Sequence, residues 1–177
     1  MRHDSKSSIE LLQLSPADWA LWRSLRLRAL EDAPNAFSSK LSDWQGQGDH
    51  ESRWRDRLTK VPFNLVSYLD RSEAGMASAT APADGEVELI SMWVAPFARG
   101  RGVGDALVAA VSSWATDKQA CRITLKVFDH NRPAIGLYRR QGFTDYGTIG
   151  VTSSACPVER KMILELKSSS QNFVDRR

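Results

Sequence analysis

ELISMWVAPFARGRGVGDALVAA, running from Glu88 to Ala110, passes from one kind of local structure to another almost without a spacer. Leu89 to Val94 is an apolar, β-branched-rich run and predicts a strand. Ala95-Pro96-Phe97-Ala98 leads into a basic, glycine-laden turn, Arg99-Gly100-Arg101-Gly102-Val103-Gly104. Apolar residues then recur at Val103, Ala106, Leu107, Ala110, Val111 and Trp114, the spacing of one helix face. The order is strand, tight glycine turn, helix N-terminus.

Such a junction suits an anion. The first turn of a helix has N–H groups without intrahelical acceptors, and its peptide dipoles place partial positive charge there. Glycines let backbone approach a ligand closely, and successive N–H groups can form an anion-binding hollow. Arg99 and Arg101 add full charges with bidentate geometry. A phosphate or pyrophosphate is the expected guest. A dinucleotide fold fits poorly, because the G-x-G-x-x-G spacing is absent and residues 120–128 hold no acidic residue for a ribose hydroxyl.

Outward from this stretch, the 177 residues suffice for one domain with a proper core. An apolar fraction of 42% and a charged fraction of 25% are ordinary for a globular protein. No run approaches the roughly 18 apolar residues of a membrane span, and MRHDSKSSIELLQL lacks the apolar centre of a secretory signal. The expectation is a cytoplasmic protein that engages no membrane. A net charge of +3 suits an anionic ligand but is too small and scattered for nucleic acid. Cys121 and Cys156 have no metal-ligand spacing, so no metal is expected.

Residues 1–8 are polar and read as a flexible start, 9–167 as a single domain, and 168–177 as a polar tail. Ile9 to Leu14 predicts a first strand, and Ser15-Pro16 caps and opens a helix. That helix sends Trp19, Trp22, Leu25 and Ala29 to one side, with Arg23, Arg26 and Arg28 outward, and ends near Asp32-Ala33-Pro34. Residues 34–60 are rich in tryptophan but poorly periodic, with a short helix over Ser52 to Leu58. Phe63 to Asp70 and Gly75 to Ala81 form a hairpin around Arg71-Ser72-Glu73-Ala74, and Glu86 to Val94 follows as the fourth strand. The central helix runs to about Asp117 and Arg122 to Phe128 is the fifth strand. Asn131-Arg132-Pro133 opens a further helix stopped by Gly142. Phe143 to Ile149 and Lys161 to Leu166 close the domain around a loop at 150–158.

Val94-x-Pro96-x-x-Arg99-Gly100-x-Gly102-x-Gly104 resembles the acyl-CoA signature of the GNAT acetyltransferases. Asn131-x-x-Ala134-x-x-Leu137-Tyr138-x-x-x-Gly142-Phe143 resembles the run that follows the fifth strand in that family. The resemblance implies an α/β GNAT fold, a mixed central sheet of about six to seven strands flanked by about four helices. It implies an N-acetyltransferase that moves acetyl from acetyl-CoA to a primary amine of a small molecule or peptide, directly, through a tetrahedral intermediate. A homodimer is a further expectation. The other reading is a non-catalytic acyl-CoA-binding regulatory module.

By the same resemblance, residues 99–104 (Arg99, Gly100, Arg101, Gly102, Val103, Gly104) hold the pyrophosphate. Backbone groups of Met92, Trp93 and Val94 pair with the pantetheine arm like an added strand, and the Val94 N–H serves the oxyanion. Asn131 orients the arm or caps its helix, and both roles are compatible. Tyr138 points its hydroxyl at the sulfur as general acid, its free pKa near 10 allowing donation at neutral pH. Glu88 is the expected base: it precedes Arg99 by a spacing that some members use. Alternation along the strand puts it on one face with Ile90, Met92 and Val94, apolar neighbours that would raise its pKa. Glu86 and a water chain remain alternatives. Lys126 stands where other members have a glutamate, and His130 reads as a surface residue. On the acceptor side, Trp19, Trp22, Phe37, Trp44 and Trp54 offer apolar walls, and Glu31, Asp32 and Asp43 offer charge for a cationic amine.

Overall fold

The computed structural model describes residues 8–149 and 158–167. His3, Cys156, the loop at 150–157 and the tail from 168 lie outside them. In chain order the elements are β1 (Ile9–Gln13), α1 (Trp19–Asp32), α2 (Glu51–Lys60), β2 (Phe63–Leu69), β3 (Ser72–Ala79) and β4 (Glu86–Val94). α3 (Val103–Asp117), β5 (Arg122–Phe128), α4 (Arg132–Arg140), β6 (Thr144–Ile149) and β7 (Glu159–Glu165) follow. The strands form one seven-stranded sheet ordered β1-β2-β3-β4-β5-β7-β6. Its β4–β5 pair is parallel and its other neighbours are antiparallel, so the sheet is mixed as expected.

Each face of the sheet has its own core. Phe63, Leu65, Val87 and Leu89 meet Leu107 and Val111 of α3 and Ile135 of α4 on one side. Val66, Met76 and Trp93 meet Trp22 and Leu25 of α1 and Trp54 of α2 on the other. Trp22 and Trp54 are fully buried, so truncating either to alanine costs about 3–5 kcal/mol. Among the described residues no helix is long and apolar enough to cross a membrane.

Local chemistry explains the boundaries. The Ser15 backbone N–H donates to the Asp18 carboxylate at 2.8 Å while Ser15 Oγ accepts from the Ala17 N–H at 3.2 Å, a box that starts a 3₁₀ turn before α1. The β2–β3 turn is tighter than the sequence suggests. Asp70 and Arg71 take positive φ values of 51° and 68°, so β3 already begins at Ser72. The stretch after α1 settles into 3₁₀ turns at Leu41–Trp44 and Gly46–Gly48. Gly142, at φ 91°, ends α4 in the left-handed conformation, as expected.

β4 departs from simple alternation. Ser78 pairs with Ile90 and Met76 with Trp93, so β4 carries one more residue than β3 across this interval. Ser91 absorbs the extra residue at φ 55°, a β-bulge. Beyond it the faces exchange: Trp93 joins the α1–α2 core, while Met92 and Val94 pack on the α3 side. Glu88 therefore shares a face with Ile90 and Trp93. The expected alignment of Glu88 with Met92 and Val94 is corrected.

Candidate active site

The parallel pairing of β4 with β5 extends only over Glu86↔Arg122, Val87↔Ile123 and Glu88↔Thr124. Past Glu88 the two strands diverge, and a cleft of about 1050 Å³ opens between them. Its walls include Leu89 to Val94, Val127 and Phe128 from the parted strands, Gly100, Gly102 and Gly104 from the turn, and Asn131 and Tyr138 from α4. The bulge and the divergence leave a stretch of β4 edge facing open space, the kind of edge to which an extended ligand can hydrogen-bond.

The turn from β4 into α3 has the local features an anion seat needs. Gly102 is the N-cap, at φ 85°, and no side chain caps the helix. Among the described residues a Cβ placed on Gly100 would meet no heavy atom within 4 Å, and one on Gly102 would meet only Ile9 Cδ1 at 3.6 Å. Gly104 has a different role: a Cβ there would lie 2.9 Å from Leu137 Cδ2, so its lack of a side chain lets α3 pack against α4. The two arginines differ from expectation. Arg99 donates to the Val94 carbonyl at 3.0 Å and pairs with the Asp32 carboxylate, which also accepts from Trp93 Nε1 at 2.9 Å. Arg101 pairs with Asp70 at 3.0 Å. The seat is thus mainly main-chain amide, with Arg99 tying it to the end of α1.

Tyr138 is buried and packs against Phe143, ring centroids 5.8 Å apart. Among the described residues its hydroxyl has no hydrogen-bond partner, and burial raises its pKa, so the proton stays on oxygen. Asn131 caps α4, its Oδ1 accepting from the Ala134 N–H at 3.3 Å, while lining the cleft. Glu88 also lines the cleft, but in different company from the apolar setting expected: Lys126 Nζ lies 3.1 Å from its Oε1. Lys126 on β5 thus faces the β4 glutamate across the diverging strands. Glu86 points instead to Arg122 and Lys161, at 3.6 and 3.7 Å. His130 is exposed, stacks on Phe128 and has Nε2 2.9 Å from the Asn35 carbonyl.

At the other end of the cleft the α1–α2 face presents Trp22, Phe37 and Trp44, and also two arginines that sequence reasoning passed over. Arg57 crosses from α2 to β2, β3 and the bulge, donating to Asn64 Oδ1, Ser78 Oγ and Ser91 Oγ at 3.1, 3.3 and 3.2 Å. Arg26, expected outward, is only 7% exposed and sits over the Phe37 ring at 4.5 Å. Its spacing gave a usable signal: Trp22, Arg26 and Ala29 fall at the three- and four-residue intervals of one helix face. Of the carboxylates expected to attract a cation, Asp32 is engaged by Arg99 and Trp93, Asp43 accepts from the Lys40 N–H, and Glu31 is exposed outside the cleft lining.

Known proteins match this architecture. The model for the acetyltransferase (GNAT) family matches residues 24–143. The mycothiol acetyltransferase of Acidothermus cellulolyticus is 30% identical over 143 residues, 75% of this chain and 43% of that protein. The chain spans less than half the length of the mycothiol acetyltransferases it matches. A GNAT-family acetyltransferase from Streptococcus pneumoniae superposes with a TM-score of 0.73 at 20% identity, covering 90% of this chain and 100% of the other. An N-acetyltransferase from Thermoplasma acidophilum in complex with coenzyme A superposes at 0.71 and 16% identity, covering 90% and 99%. These structures share the fold. With a family model matched over most of its length and a sheet parted between β4 and β5, the chain belongs to the acetyltransferase (GNAT) family.

Proposed function

We propose that this chain is an acetyl-CoA-dependent N-acetyltransferase acting on a primary amine of a small molecule or peptide. The observation that carries the reading is the uncapped N-terminus of α3, opening beside Gly100 and Gly102 into the same cleft as Tyr138 and Glu88. The residues present fit the cofactor: the amides from Gly102 onward suit a diphosphate, and the β4 edge near Met92, Trp93 and Val94 suits an extended amide-bearing arm. Asn131 borders the same channel. Acetyl-CoA bound there supplies an activated acetyl thioester.

The chain's own groups then divide the proton transfers. Glu88 accepts a proton from the incoming ammonium, turning it into a nucleophile, while Lys126 orients the carboxylate. The Tyr138 hydroxyl, kept protonated by burial, holds a proton for the departing sulfur. The Val94 N–H is the donor assigned to the carbonyl oxygen. Release of free thiol from acetyl-CoA, followed with a broad panel of amines, tests the reading. Amine-dependent turnover is expected; tight acetyl-CoA binding without turnover of any amine would make the chain a binding module instead.

A further inference from the structure

The acceptor end of the cleft holds a buried cation that the transfer chemistry does not use. Arg26 lines it at 7% exposure, and its Nη1, itself out of contact with solvent, has no hydrogen-bond partner among the described residues. Among the described residues neither Arg26 nor Arg57 forms an ion pair. Arg57 spends its donors on neutral oxygens, and each guanidinium lies over an aromatic ring, Arg26 on Phe37 and Arg57 on Trp22 at 5.2 Å. Ring faces hold the planar groups in place but do not neutralise them.

A buried guanidinium without a carboxylate is costly, and two near one another are worse. Burial lowers both to about 10, with the Arg57 charge adding to the effect on Arg26, so both remain cationic at neutral pH. Charge of this kind in a site wall is relieved when a ligand brings the opposite charge. Of the carboxylates in the cleft lining, Asp32 is engaged by Arg99 and Trp93, Glu88 by Lys126 and Asp105 by Gln141, and none, Glu159 included, pairs with Arg26 or Arg57.

We propose that the acceptor is an amine that also carries a carboxylate, seated on Arg26 beside Arg57, with its apolar part against Trp22, Phe37 and Trp44. This rests on the transferase reading and narrows its substrate class to free amino acids or compounds with a comparable acid group. The planar guanidinium fork matches a carboxylate better than an ammonium would.

The test is a panel of amino acids in which amine and acid are set progressively further apart, from glycine through β-alanine to ε-aminocaproate, with L-leucine and L-phenylalanine. Each is assayed beside its primary amide. The best acid is expected to exceed its amide in kcat/KM by about ten- to a hundred-fold, the range of a charge-assisted pair. Arg26→Met should bring that ratio close to one and Arg26→Lys should restore part of it. Because a lone buried charge is removed, Arg26→Met should also raise the thermal midpoint, whereas a purely structural arginine would lower it. Equal use of acids and amides by the unaltered protein, or an undiminished ratio in Arg26→Met, overturns the proposal. Binding of the same pairs to the coenzyme A-loaded protein, read by tryptophan fluorescence, separates the two readings. Acids bound over amides without transfer would remove the transferase reading alone; transfer to both alike would remove the acid site alone; no preference in binding or in transfer would overturn the acid site.

Discussion

Tyr138→Phe isolates one oxygen atom. The ring, its packing on Phe143 and its place in the α3–α4 core are retained. Since the hydroxyl has no partner among the described residues, its removal orphans nothing, and stability should change by less than about 1 kcal/mol. Catalysis should suffer far more. Loss of a general acid lowers kcat by about 10² or more, equivalent to about 2.7 kcal/mol of barrier. Acetyl-CoA affinity should remain unaltered, because the proposed diphosphate seat lies at the start of α3. Burial raises the phenol pKa, so the neutral, donating form persists as pH rises, and wild-type kcat should show no fall attributable to Tyr138 up to about pH 10. Steady-state thiol release measures the rate, with the exposed Cys121 subtracted as background. Calorimetric titration measures acetyl-CoA binding. A kcat within about two-fold of wild type would refute the role; loss of affinity alongside rate would assign the effect to the ring instead.

Gly102→Glu places a negative side chain at the mouth of the anion seat and should abolish acetyl-CoA binding. The left-handed backbone at that position adds about 1–2 kcal/mol of strain, so Gly102→Ala is the control, and normal affinity in a folded Gly102→Glu protein would discredit the seat. Glu88→Gln should lower kcat by about 10² with acetyl-CoA affinity retained, and an unaltered kcat would pass the base role to Glu86 or water. Asp49 concerns stability: hydrogen bonds from Arg23 and then Trp54 lower its pKa to about 2. Its contribution is present above the unfolded value near 3.9 and is lost as pH falls through about 2. Because the pair is partly open to water, that contribution is about 1 kcal/mol or less. Asp49→Asn should therefore flatten the acid-unfolding curve between those pH values, and an identical curve would exclude the linkage.

Where local rules act alone, residues were legible from sequence. Glu86–Val94 and Arg122–Phe128 emerge with the expected bounds and the central helix ends at Asp117 as expected, because alternation, helical spacing and flanking glycines agree. The junction at residues 99–104 was visible for the same reason: glycine declares backbone geometry. The bulge was hidden because a serine takes the left-handed conformation at residue 91, held by Arg57 from another element. That single inserted residue reverses the face of everything after Ile90, which alternation alone could not foresee. Arg26 and the Lys126–Glu88 pair were missed on different grounds. Residue type argued that arginine faces solvent although helix phase placed it inward, and a cross-strand partner depends on which strands become neighbours.

The short seam between β4 and β5 makes this sheet a hinged diptych. One leaf is β1 to β4, the other β5 to β7, and among the described residues direct strand pairing between them is confined to residues 86–88 and 122–124. A ligand lying in the gap would touch both leaves, like a keystone, and would stabilise them together. Saturating acetyl-CoA at a hundred times its Kd would add about 2.7 kcal/mol, and hydrogen exchange should slow on both banks at once. On that reading, how cooperatively the two leaves unfold would depend on what fills the gap between them.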